Sequence, residues 1–207
     1  NLGILLLCAP LARPADTPLP GTTLRQRLGH VLSTLDLADA ADAFSAIALA
    51  NPAGLGHVEI EDVAKPPTMT LLAAMALAAD RDRISRAYVT DFLDIFETAL
   101  PCLVEARRRA ASPELAVTTL HMTLLAAFPD SHIVRKHGAE VAAAVQQETA
   151  AQRALWSPVA RSGSVPALLA YDQHLKGREI NPGTTADLVV ATLFAERLIT
   201  CAGGTTA

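Results

Sequence analysis

The chain has 207 residues, a formal net charge of −4 and a pI near 5.8, and 51% of its residues are hydrophobic while only 4% are aromatic. That length suits one domain built around one large core. An acidic balance without a broad basic face excludes extended nucleic-acid binding by phosphate neutralisation, so any anion site must be local.

Alanine and leucine dominate the apolar set and β-branched runs are scarce, which favours helix over sheet. The expected fold is all-α, a single multi-helix bundle over residues 1–207 with irregular functional loops. The apolar run Leu2 to Ala12 opens the chain. It has no basic flank, contains Pro10, and falls well short of the roughly 20 residues needed to cross a bilayer, so it reads as a core helix and no membrane partner is expected. The chain starts at Asn1 with that helix already under way, and an N-terminal segment of the full protein is expected to be missing. A proline-rich loop, "ARPADTPLPGTT", then leads to an N-cap at Thr22 or Thr23 and a helix to about Thr34. Helix restarts at Asp36 and stops at Asn51-Pro52, with Leu37, Ala40, Ala41, Phe44, Ile47 and Ala48 on one face.

Asn51 to Thr68 has no helical periodicity, and a loop of this length in a small domain is commonly functional or disordered. Helices are expected over about 69–79, over 82–109 with a kink or break at Pro101, and over 113–128. After "FPDSHIVRKHG" the pattern predicts helix over Ala139 to Trp156, then about 164–176, then Thr184 to Cys201. Cys8, Cys102 and Cys201 are odd in number and far apart, which points to neither a disulfide framework nor a metal site and suits a reducing cytoplasm.

Three polar segments could carry chemistry. In "PDSHIVRKHG", Asp130 and Ser131 can cap the following segment, and Arg135, Lys136 and His137 then concentrate positive charge in an otherwise acidic chain. They read equally as a solvated helix face or as an anion site, since arginine offers phosphate a planar fork and lysine a point charge. In "NPGTTADL", Thr184 or Thr185 can cap the last helix, and capping alone explains the motif. The other reading places a phosphate on the free N–H groups at Gly183 to Thr185, with Mg²⁺ between it and Asp187. In "HVEIEDV", Glu59, Glu61 and Asp62 either bind Mg²⁺ or keep the loop hydrated, and the second is favoured. His30, His121 and His174 sit singly on predicted helices and receive no role. Among nucleotide and hydrolase signatures, neither GxxxxGK[ST] nor GxGxxG is present, nor is GxSxG or HExxH.

The segments "NLGILLLCAPLA" (1–12), "DSHIVRKHG" (130–138) and "NPGTTADLVVATLF" (181–194), with "GLGHVEIEDV" (54–63), resemble the triphosphoribosyl-dephospho-CoA synthase family in order and content. The resemblance implies an all-α transferase that joins ATP to 3′-dephospho-CoA with loss of adenine and uses Mg²⁺. It implies phosphate contacts from Asn1, Gly3, Arg135, Lys136, Gly183, Thr184 and Thr185. Asp130 and Asp187 would be the catalytic and Mg²⁺-binding carboxylates, joined by Asp62 as a further metal ligand. Partners would be ATP and dephospho-CoA or another acceptor, with no nucleic acid, and a homodimer is compatible with the reading. Family members carry a Lys-Pro-Gly segment before the point where this chain starts, and often His-Lys-Gly where it has Asn1-Leu2-Gly3. The leucine-rich form resembles a divergent branch, for which an acceptor in methanopterin-type cofactor synthesis is the alternative. The reading from a different class is a non-catalytic helical binding protein, with the polar motifs as caps and wet loops.

Overall fold

Twelve α-helices and no strand are found among the described residues, 1–15, 20–50 and 66–201 of a computed structural model. The all-α expectation holds. The chain divides into two compact units, Asn1–Asp94 with Val190–Ala207, and Ile95–Val189. Asp62 and the rest of "HVEIEDV" lie outside the described residues.

The first unit contains α1 (Leu2–Ala12), α2 (Leu24–Thr34), α3 (Leu37–Ala50), α4 (Leu71–Ala78) and α5 (Arg83–Val89). Helix α1 buries Gly3, Leu7 and Leu11, which are four apart and therefore stack on one face. Pro10 lies inside α1 and has no N–H for the carbonyl of Leu6, the residue four positions back. The hydroxyl of buried Tyr88 takes that place, donating to the Leu6 carbonyl at 2.7 Å. A proline that would cost the helix a bond is thus tolerated because α5 supplies a donor. Thr23 caps α2 in a capping box, accepting from the Gln26 N–H at 3.2 Å and donating its own N–H to Gln26 Oε1 at 2.8 Å. Asp82 caps α5 by accepting from the Ser85 N–H at 2.9 Å.

The second unit carries α6 (Leu100–Arg109), α7 (Pro113–Ala127), α8 (Ser131–His137), α9 (Ala139–Ala151), α10 (Arg153–Trp156), α11 (Val165–Gly177) and the first turns of α12 (Gly183–Cys201). Its core includes Leu125, Ile133, Val145, Trp156, Tyr171 and Leu175. Thr119 ties α7 to the segment after α10, accepting from the Ala160 N–H at 2.8 Å while donating to the Leu115 carbonyl.

Two expected helices, 82–109 and 139–156, differ from the pattern-based reading. The helix expected over 82–109 breaks at 90–92, where Asp91 and Phe92 take positive φ angles of 48° and 55°. Pro101 does not break it. A π-helical turn, Asp94–Ala99, leads into α6, and Pro101 falls in the first turn of α6, where the missing N–H is tolerated. The segment "DSHIVRKHG", where Asp130 and Ser131 were expected to cap, folds as α8 with Asp130 as its cap. The helix expected over 139–156 divides at Gln152. The carbonyl of Thr149, which would serve Arg153 in a continuous helix, instead accepts the Gln152 N–H at 3.2 Å and the Trp156 indole N–H at 3.1 Å. Burying Trp156 with a partner for its N–H thus ends α9 one turn early.

Candidate functional site

Asp130 meets Thr184 and Thr185, 54 and 55 positions later in sequence, where α8 and α12 begin. Asp130 is 3% exposed and accepts four hydrogen bonds. Its Oδ1 takes the N–H groups of His132 at 2.8 Å and Ile133 at 3.1 Å, which caps α8. Its Oδ2 takes the N–H of Thr185 at 2.7 Å and the Thr185 hydroxyl at 2.8 Å. An ionised carboxylate has about four lone-pair positions, and here all are used. One buried charge therefore joins two helix N-termini, whose partial positive charges both favour it.

The threonines depart from the capping reading. Helix α12 starts at Gly183, and neither hydroxyl caps its own helix. Buried Thr184 accepts the His132 N–H at 3.1 Å, so it serves α8, and buried Thr185 donates to Asp130. Of the other N–H groups that open α12, Gly183 donates to the Asn181 carbonyl at 2.8 Å and Ala186 to the Pro182 carbonyl at 3.1 Å. The anion seated at the mouth of α12 is thus the carboxylate of Asp130. A phosphate taking the Thr185 donors would have to displace it, and a metal or a proton would have to displace one of its four bonds.

Gly183 is required by a close approach. A Cβ at this position would lie 3.2 Å from Cγ of His132 and 3.4 Å from its Nδ1, so the imidazole packs closely against the helix start. Asp187 stands one turn further along α12, on the face that carries Gly183, and is half-buried. The loop that delivers α12 is held from two sides. Arg178 Nη1 lies 3.0 and 2.9 Å from the two carboxylate oxygens of Glu148, and His137 Nε2 lies 3.2 Å from the carbonyl of Glu179. Arg135, half-buried, and Lys136, exposed, occupy the last turn of α8, where positive charge also offsets the helix dipole. Asn1 and Gly3 belong to the first unit.

His121, which received no role, and His132, named only as part of its motif, belong to this region. His132 lies on the α8 mouth, and burial together with the nearby Arg135 guanidinium lowers its pKa, with Asp130 acting in the opposite direction. His121 on α7 is lowered by burial, against the charges of Asp130 and Asp172. The signal for His132 was its position two residues after a capping aspartate; His121 had none, because its neighbours come from other helices. Both imidazoles are therefore neutral in the folded protein at pH 7. The unfolded chain takes up protons near the ordinary value of 6.5 while the folded chain takes them up lower, so stability is full above 6.5 and falls as pH drops through that value. Denaturant midpoints should decrease between pH 7.5 and 5.5, and NMR titration should place both imidazoles below 6.5. Either ring titrating above 6.5 would contradict this.

Beside the polar node, still within the second unit, lies a cavity of about 540 Å³ between α7 and α11, with Ile180, Asn181 and Pro182 at one end. Among the described residues no group of three metal-ligating side chains is present, and no helix is long and apolar enough to cross a membrane.

Fold and site together define an all-α protein with a small-molecule-sized cavity next to a helix mouth closed by a buried carboxylate. The match to the CitG family, ATP:dephospho-CoA triphosphoribosyl transferase, runs over residues 1–206, and the chain belongs to that family. A 2-(5″-triphosphoribosyl)-3′-dephosphocoenzyme-A synthase from Klebsiella pneumoniae is 33% identical over 104 residues, 50% of this chain and 34% of the relative. The protein of the same name from Pectobacterium atrosepticum is 34% identical over 101 residues, 49% of this chain and 32% of the relative. The matched stretch thus spans about a third of the length of these relatives. A crystal structure from Archaeoglobus fulgidus, provisionally named a triphosphoribosyl-dephospho-CoA synthase, superposes with a TM-score of 0.72 at 24% identity, covering 93% of this chain and 80% of that one. At that identity it supports the fold.

Proposed function

We propose that the protein transfers the triphosphoribosyl group of ATP to dephospho-CoA. The 2′-hydroxyl of the acceptor ribose attacks C1′ of the ATP ribose, the C1′–N9 bond breaks, and adenine leaves with the proton that the hydroxyl gives up. The triphosphate stays in the product, the precursor of the prosthetic group carried by the acyl-carrier subunits of citrate lyase and malonate decarboxylase. The observation that carries this reading is the family match over residues 1–206, with two of the motifs behind it meeting at one buried node.

The node suggests a division of labour. Asp130 is a positioning residue, since its four bonds hold α8 and α12 in register. Arg135 and Lys136 supply cationic charge for the triphosphate, and Gly183 and Thr184 stand at the mouth of α12. Asp187 fits a Mg²⁺ ligand, because a magnesium–phosphate site commonly draws one or two carboxylates from the protein and its other ligands from phosphate and water. Bound there, Mg²⁺ would neutralise the phosphate charge that a carboxylate would otherwise repel. Asp130 in this arrangement has no lone pair to offer a metal.

Incubation of the protein with Mg·ATP and dephospho-CoA should release adenine and consume both substrates one for one. Formation of ADP or pyrophosphate instead would overturn the assignment.

A further inference from the structure

The cavity beside the node has no part in the chemistry above, and its shape is informative. On α7 it is lined from Leu115 to Leu125 and on α11 from Val165 to Lys176, so it follows two helices for about 15 Å at 1.5 Å per residue. Its volume of about 540 Å³ falls within the range of small-molecule sites. The walls are largely aliphatic, with Met122, Leu168 and Leu175 among them. Leu169, also on the lining, is 58% exposed, so apolar surface continues to the opening. Polar groups occur at intervals: Thr118 and His121 on α7, Asp172 paired with Lys176 at 2.6 Å on α11, and Asn181 at the end nearest α12.

A compact purine would leave most of that length unfilled. A triphosphate would find one lysine, already paired with Asp172, and aliphatic walls. The pattern suits an extended, mostly apolar arm with amide and hydroxyl groups spaced along it. Dephospho-CoA is ADP joined through its β-phosphate to pantetheine, whose chain extends roughly 15 Å, about the reach of four residues. Asn181 and Pro182 on the lining immediately precede Gly183, so an arm lying between α7 and α11 would bring its diphosphate toward the start of α12. We infer that the cavity between α7 and α11 is the binding site for the pantetheine arm of the acceptor. This rests on the proposed acceptor and adds where and how it is held.

The test uses pantetheine alone, then dephospho-CoA and ADP, titrated calorimetrically into the protein and into two variants. Leu168→Trp fills the cavity, and Leu169→Glu places a charge at its exposed rim, where the fold is least affected. Pantetheine should bind, dephospho-CoA should bind more tightly than ADP, and both variants should weaken pantetheine and dephospho-CoA by about tenfold or more while leaving ADP unchanged. Equal affinity for dephospho-CoA and ADP, unchanged in both variants, would overturn the inference, and adenine release by the same protein would leave the transferase reading standing. Pantetheine binding that both variants abolish, in a protein that releases no adenine, would uphold the cavity assignment and remove the transferase reading.

Discussion

Asp130→Ala should lower the unfolding free energy by about 3–5 kcal/mol, well beyond the ~1 kcal/mol of an ordinary exposed cap. The reason is arithmetic on donors. The carboxylate serves three backbone N–H groups and one hydroxyl, and it is 3% exposed, so water cannot replace it without opening the junction. Of the four donors only the His132 N–H keeps a second acceptor, Thr184 Oγ1. The Ile133 and Thr185 N–H groups and the Thr185 hydroxyl are left buried without a partner. Each such loss costs about 1–3 kcal/mol, and partial relaxation brings the total below the simple sum. Asp130→Asn sharpens the test. Its oxygen can keep the α8 cap, but its NH₂ then faces the Thr185 N–H, donor against donor, so about half the loss should remain. Urea unfolding of the three proteins measures this, and a loss under about 1 kcal/mol in the alanine variant would mean that the junction is held by something else.

Asp187→Asn should have the opposite profile. The residue is half-buried on α12 and supplies none of the four hydrogen bonds that Asp130 accepts, so stability should change less than in Asp130→Ala. Catalysis should fall much further. If Asp187 holds the Mg²⁺ that neutralises triphosphate charge as adenine departs, its replacement removes a transition-state interaction, and such losses are on the order of 10²- to 10³-fold in kcat. The effect should appear in kcat more than in the KM for dephospho-CoA, and Asp187→Glu should recover part of it. Adenine release within a few-fold of the unsubstituted protein would remove Asp187 from the reaction. The two aspartates are thus separable, because one variant fails in a melting experiment and the other in a rate assay.

The stability figure for Asp130 also shows how far local sequence carries. Read alone, Asp130 followed by "SHIVRKH" is a cap with one helix to serve, and the structure bears that out for Oδ1. Its other oxygen serves Thr185, 55 positions away, and nothing in the spacing within either motif could announce that pairing. "NPGTTADL" was misleading for the same reason. Threonine at a helix start ordinarily caps that helix, but burial against α8 turned Thr184 to a different helix and Thr185 to a different residue's carboxylate. Pro101 is a similar case, because a π-helical turn, Asp94–Ala99, runs up to it and places it in the first turn of α6 rather than in a regular helix interior.

By itself the sequence determined that this chain is helical, since alanine and leucine at spacings of three and four leave a sheet no alternating face to build on. It also determined several helix starts, at Thr23, Asp82 and Asp130 among them, because a cap acts over two or three residues and is a local interaction. Tertiary structure alone decided which anion occupies the mouth of α12, which hydroxyl serves which helix, that His121 and His132 are held neutral, and that an apolar cavity lies beside Gly183. Each of these depends on bringing groups from different helices within about 3 Å of one another in a place water does not reach, where hydrogen bonds and charges count for more than they do along a solvated strip of sequence.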